Sequence, residues 1–141
     1  MEKLRVLIVD DCAVVRDGLR SILQAASDVE VVGEAVDGCD ALAQVERLYP
    51  DIILVDAQMP GMDGVETTSR IKEKWPKVKV LFLTVHSSYV EAALAAGADC
   101  CLMKDCTWRE LMEAVRKVGR QAQHSTRLPD LKGTKPCSGR P

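Results

Sequence analysis

Aromatic side chains are nearly missing from this chain: one Phe, two Trp and two Tyr, 4% of 141 residues. The core must therefore be aliphatic, and a hydrophobic content of 47% suffices for one. No apolar run approaches the ~18 residues a membrane span needs. No secretory leader is evident, because Met1-Glu-Lys-Leu-Arg runs straight into a strand-like segment. The expectation is a cytoplasmic protein. Six cysteines (Cys12, Cys39, Cys100, Cys101, Cys106, Cys137) follow neither a secreted-scaffold pattern nor a zinc spacing. They read as reduced thiols. A net charge of −2 exerts no overall pull on nucleic acid. The charge is uneven, however. From Arg120 onward five basic residues face one acidic residue, a balance of +4, which leaves −6 on the body.

What the chain does have centres on Asp51-Ile-Ile-Leu-Val-Asp56-Ala-Gln-Met-Pro60-Gly-Met-Asp-Gly64. Its first half is a short apolar run bounded by Pro50 and Pro60, which reads as a strand buried on both faces. It ends on Asp56 and turns through Pro60-Gly61, and Asp63 then offers a helix N-cap.

The rest alternates in the same manner. Leu4–Val9 is a strand ending at Asp10-Asp11. Val14, Val15, Leu19, Ile22 and Leu23 recur at helical spacing. Val29–Val36 is a β-branched strand. Asp37–Leu48 is a helix stopped by Pro50. Asp63–Trp75 is a helix ended by Pro76. Val78–Thr84 is a strand, and Ser88–Ala96 a short helix closed by Gly97. Ala98–Met103 is a strand. A helix follows from Thr107 to about Gly119, opened by the capping pair Thr107 and Glu110. Five βα units with short connections predict an α/β fold: a flavodoxin-like (βα)5 doubly wound parallel sheet of order 2-1-3-4-5. Residues 3–119 form the folded domain. Residues 120–141, polar and Pro/Gly-bearing, read as a disordered basic tail or linker.

In that topology Asp10, Asp11 and Asp56 meet at one crevice. Like charges about 4 Å apart repel by roughly 4 kcal/mol at an effective dielectric of about 20, so the cluster needs a cation or protons. Oxygen-only ligands suit Mg²⁺. Singly, Asp11 suits a helix N-cap and Asp10 a strand-end turn; the conjunction with Asp56 argues otherwise. Asp56 has the chemistry of a nucleophile that takes a phosphoryl group as an acyl phosphate. Thr84 ends strand 4 and offers a hydroxyl to a phosphoryl oxygen. Lys104 ends strand 5 and offers an ammonium. The cysteines of strand 5 are more simply packing thiols than a redox or metal site. Trp108, Leu111, Met112 and Val115 most simply pack the last helix on the sheet; exposed parts of them would serve dimerisation.

Val9-Asp10-Asp11, Val55-Asp56-Ala-Gln-Met-Pro60-Gly-Met-Asp-Gly64, Leu83-Thr84 and Met103-Lys104-Asp105 together resemble the receiver domain of two-component response regulators. The likeness covers residues 3 to about 119. Lys104-Asp105, rather than Lys-Pro, is similar to the subfamily joined to a LuxR-type helix-turn-helix. The resemblance implies that Asp56 accepts a phosphoryl group from a phosphohistidine on a sensor histidine kinase. It implies that Asp10, Asp11, Asp56 and the backbone carbonyl of Gln58 hold Mg²⁺, and that Thr84 and Lys104 bind the phosphoryl oxygens. It implies an output through the helix 4–strand 5–helix 5 face, with homodimerisation on phosphorylation and DNA contacted only by a domain outside this chain. A stand-alone receiver acting through protein contacts is the alternative. The chain departs from the family at Cys101, where most relatives carry an aromatic residue. Gln58 and His86 occupy the positions that tune acyl-phosphate lifetime.

Two other functions fit less well. A phosphatase with an Asp nucleophile needs a second acid two residues on, and that position is Gln58. A flavin or nucleotide binder needs a Gly- or Ser/Thr-rich loop after strand 1, and that loop is Asp10-Asp11-Cys12.

Overall fold

A computed structural model describes residues 2–127, with side chains for residues 2–123. The elements are β1 (Leu4–Val9), α1 (Ala13–Gln24), β2 (Val29–Ala35), α2 (Gly38–Leu48), β3 (Ile52–Asp56), α3 (Gly64–Lys74), β4 (Lys79–Thr84), α4 (Val90–Ala95), β5 (Cys100–Met103) and α5 (Trp108–Arg127). A short 3-10 turn, Ser87–Tyr89, precedes α4. All pairings are parallel and the strand order is β2-β1-β3-β4-β5, as the βα alternation predicts.

Strand alternation divides the aliphatic interior into two cores. Leu7, Val9, Ile53, Val55, Val80 and Phe82 point to one face of the sheet, where residues of α2, α3 and α4 cover them. Val6, Ile8, Ile52, Leu54, Leu81 and Leu83 point to the other face, under α1 and α5. The single Phe, Phe82, is fully buried. β3 is buried along its whole length, so its final residue, Asp56, is held by packing on both sides.

Helix boundaries follow local chemistry. Asp37 caps α2 by accepting from the Asp40 N–H, and Asp63 caps α3 by accepting from the Glu66 N–H. Thr107 and Glu110 exchange side-chain-to-backbone bonds of 2.8 and 3.1 Å, the reciprocal pair foreseen for α5. Gly97 has φ +110 and donates to the Leu94 carbonyl, so it closes α4 in the left-handed region.

Two expectations need correction. Val14 is 78% exposed and is not part of the inward face of α1. Asp11 is not the cap of α1, in keeping with its expected place among the acids: the cap position is Cys12, without a side-chain cap bond. The last helix does not stop near residue 119 but continues to Arg127. Its added turns are anchored: Ala122 is buried, Arg120 donates to the Glu2 carbonyl, and Gln123 donates to the Lys3 carbonyl and to Asp51. Residues 128–141, which include most of the expected tail and Cys137, lie outside the described residues.

Candidate functional site

The carboxyl ends of β1 and β3 lie side by side, paired as far as Val9 and Val55. Each strand then delivers an acid: Asp10 after β1 and Asp56 as the last residue of β3. Asp10 is 1% exposed and Asp56 7%, whereas Asp11 faces solvent. Oxygens of all three carboxylates lie within 4.8 Å of one another.

β5 ends one residue before Lys104, whose Nζ reaches across the rim. It lies 2.7 Å from Asp56 Oδ1 and 3.2 Å from Asp10 Oδ2. Burial is the largest influence on Asp56 and raises its pKa; Lys104 opposes this, and the Asp10 and Asp11 charges add to it. Burial pushes the Lys104 ammonium down, but its bonds to Asp56 and Asp10 outweigh burial and raise its pKa. Formally, three carboxylates against one ammonium leave a charge of −2 in a small, half-enclosed volume. One divalent cation would neutralise that charge. The donors are all oxygens, and exposed Asp11 leaves a solvent side for water ligands. These residues therefore fit a hard cation of the Mg²⁺ or Ca²⁺ kind.

The turn after β3 is fixed by a close backbone approach. Gly64 donates to the Ala57 carbonyl, and a Cβ at Gly64 would overlap the Asp56 carbonyl oxygen and come 2.8 Å from Ala57 Cα. Only glycine lets α3 begin this close to the strand end.

Thr84 sits on the same rim, at the end of β4 beside β3. Its hydroxyl is turned onto its own loop: Oγ1 donates to the His86 carbonyl at 3.1 Å and accepts from the His86 N–H at 3.0 Å. The structure thus brings Asp10, Asp11, Asp56 and Lys104 together but does not aim the Thr84 hydroxyl at Asp56. The exposed Gln58 side chain donates to the Tyr89 hydroxyl at 3.3 Å, which ties the loop after β3 to the turn before α4.

Cys101, at the position where an aromatic residue was expected from the resemblance, is half-buried in β5 and packs on the core that also holds Tyr89. Its thiol is pushed up to about 11 by burial, so it is poorly ionised at neutral pH. Of the α5 residues, Leu111, Met112 and Val115 are buried and Trp108 is 58% exposed. Trp108 edges a groove of about 300 Å³ between α1 and α5, lined also by Val15, Leu19, Ile22 and Lys104.

Similarity to known proteins agrees with this geometry. The family model for the response regulator receiver domain matches residues 6–116. The chain belongs to the response regulator receiver family. It is 44% identical over 119 residues to the response regulator protein VraR of Staphylococcus aureus, covering 83% of this chain and 57% of VraR. The chain thus spans little more than half the length of that relative. Its structure is similar to that of a LuxR-family two-component response regulator from Aurantimonas (TM-score 0.80, 30% identity, 84% of this chain and 86% of the other). It is also similar to a chain of the CheX-CheY-BeF3-Mg²⁺ complex from Borrelia burgdorferi (TM-score 0.77, 26% identity, 83% of this chain and 90% of the other). Among the described residues no helix is long and apolar enough to cross a membrane.

Two features were beyond sequence reasoning. Arg16 of α1 donates to the Asp10 carbonyl, and Glu34 of β2 holds Arg16. No motif marks either residue.

Proposed function

We propose that this receiver is switched by phosphorylation of Asp56. The observation that carries this reading is the convergence of Asp10, Asp11 and Asp56 within 4.8 Å, with the Lys104 ammonium against Asp56. An Asp56 carboxylate oxygen attacks phosphorus of a phosphohistidine on a sensor histidine kinase. The P–N bond breaks, the imidazole keeps its electron pair and takes up a proton, and an acyl phosphate remains on Asp56. Asp10, Asp11, Asp56 and the Gln58 backbone carbonyl would hold Mg²⁺, which when bound supplies neutralising charge for the phosphoryl oxygens. Lys104 exchanges part of its bonding from Asp56 to a phosphoryl oxygen. Thr84 leaves the His86 backbone and turns its hydroxyl to another. That turn displaces the loop before α4, and the α4–β5–α5 face carries the change to an output. The apolar groove beside Lys104 gives a docking surface for the donor protein.

The output is transcriptional control through a DNA-binding domain outside this chain. The likeness to VraR and to a LuxR-family regulator supports this reading. Half-exposed Trp108 would contribute to homodimerisation of the phosphorylated form, in the cytoplasm. Beryllofluoride with Mg²⁺, which mimics the acyl phosphate, tests the switch. In amide NMR spectra it should shift Thr84, His86, Tyr89 and Lys104 in wild type and nothing in Asp56→Asn. A wild-type spectrum that does not change would refute the reading.

A further inference from the structure

We infer that Arg16 and Glu34 form a positioning pair for the divalent-cation site: Glu34 holds the Arg16 guanidinium, and Arg16 fixes the peptide that carries Asp10. This rests on the reading that the three acids bind a cation.

Asp10 is held at every polar atom. Its N–H donates to the Ala35 carbonyl at 3.1 Å, its Oδ1 accepts from the Cys12 N–H at 2.9 Å, and its Oδ2 faces Lys104. The remaining group, its backbone carbonyl, accepts from Arg16 Nη1 at 2.7 Å. That carbonyl belongs to the peptide joining Asp10 to Asp11, so its orientation sets the direction of both carboxylates. Arg16 does not swing freely. Its Nε donates to Glu34 Oε1 at 3.1 Å, and the other Glu34 oxygen accepts from Arg20 Nε. Arg16 and Glu34 are both largely buried, and burial raises the Glu34 pKa while the two arginines more than reverse it, so Glu34 stays ionised.

The backbone of β2 is built to present Glu34 to α1. The pairing of β2 with β1 slips between Val6 and Leu7, from Val6↔Val31 to Leu7↔Gly33, leaving Val32 as the extra residue. Such a bulge reverses which face later residues address. Val29 and Val31, before it, pack in the core under α1 and α5, while Ala35, after it, packs in the opposite core. Glu34 therefore turns towards α1. Without the slip it would point to the α2 side, away from both arginines. Gln44 then ties down the Glu34 carbonyl at 2.6 Å.

Calorimetric titration of Mg²⁺ into the full chain, with melting temperatures measured alongside, separates positioning from its rivals. Arg16→Met should weaken Mg²⁺ binding about tenfold, the lower edge of what outer-shell partners of metal ligands contribute. A purely electrostatic Arg16 predicts the opposite sign, because removing a cation beside the site favours a bound cation. Arg20→Met loses an ion pair to the same Glu34 but no bond to Asp10, and should leave affinity within about twofold. Glu34→Gln, which loosens Arg16 without removing it, should weaken binding about threefold. It also serves if Arg16→Met does not fold. Unchanged or tighter binding in Arg16→Met and Glu34→Gln overturns the inference, as does an equal loss in Arg20→Met. Absence of binding in wild type overturns instead the cation-site reading itself.

Discussion

The two ends of the sheet treat charge in opposite ways. At the amino-terminal ends of the strands Asp28, Asp51 and Asp99 are each held by cations or neutral donors. Lys72 donates to Asp99 and to the carbonyls of Pro76 and Val78, while Asp99 also accepts from the Val80 N–H. Asp28 takes a two-point bond from Arg116 and a further one from Arg120. Asp51 accepts from the Arg5 N–H and from Gln123. At the carboxyl-terminal ends three acids cluster around one lysine, which bonds Asp10 and Asp56. Two acids show the contrast: Asp28 is lowered, chiefly by its bond to Arg116, and Asp56 is raised, chiefly by burial, while burial also lowers Lys72 at the first end. One end staples strands and helices together. The other gathers acidic charge in excess of its one lysine, which a divalent cation would relieve.

Removing a charge should therefore destabilise at the first end and stabilise at the second. Lys72→Met, at the first end, leaves the Pro76 and Val78 carbonyls without their donor and Asp99 with only the Val80 N–H and Lys79, and should cost about 2 kcal/mol of unfolding free energy by urea denaturation. Phosphorylation of whatever remains folded should be normal. Gly64→Ala, at the site end, should cost about 2 kcal/mol through overlap with the Asp56 backbone, and should also slow phosphorylation by displacing that carboxylate. Asp56→Asn reverses the sign. It removes a buried charge from a repelling cluster and should raise the melting temperature measured without divalent cation. A loss of stability there would break the comparison.

The pH dependence sharpens it. Because the folded Asp56 pKa is raised above its unfolded value, its contribution to stability improves as pH falls from neutral through the folded pKa towards 3.8. The lowered Asp28 and Glu34 act oppositely. Their contributions are complete above unfolded values near 3.8 and 4.5 and are lost as pH falls through their folded values. Melting temperature in the absence of divalent cation should thus rise slightly on mild acidification before it collapses. The rise should vanish in Asp56→Asn. The smallest effect concerns thiols: exposed Cys12 and Cys39 should react with iodoacetamide well before Cys101, whose thiol is pushed up to about 11.

The fold was legible because two signals repeat. Alternating apolar runs and capping residues gave all ten elements, and Asp10, Asp11, Asp56 and Lys104 meet where a 2-1-3-4-5 order puts them. What escaped depends on orientation. The bulge in β2 reverses the facing of Glu34 and leaves no mark in the sequence beyond Gly33. The Thr84 hydroxyl lies at the right strand end but turns onto His86, a choice of rotamer and loop that residue type does not encode. The final turns of α5 lack an apolar period, because Arg120 and Gln123 secure them by bonds to backbone carbonyls of the first strand's approach. Val14 falls on helical spacing yet points outward, since α1 starts at Ala13 and its inward stripe runs through Leu19, Ile22 and Leu23.

The most direct test is incubation of the full chain with acetyl phosphate, with and without Mg²⁺, followed by intact mass and peptide mapping. One phosphoryl group should appear on the peptide containing Asp56, only with Mg²⁺ present, and not in Asp56→Asn. Modification elsewhere, or equal modification without the cation, would contradict the account.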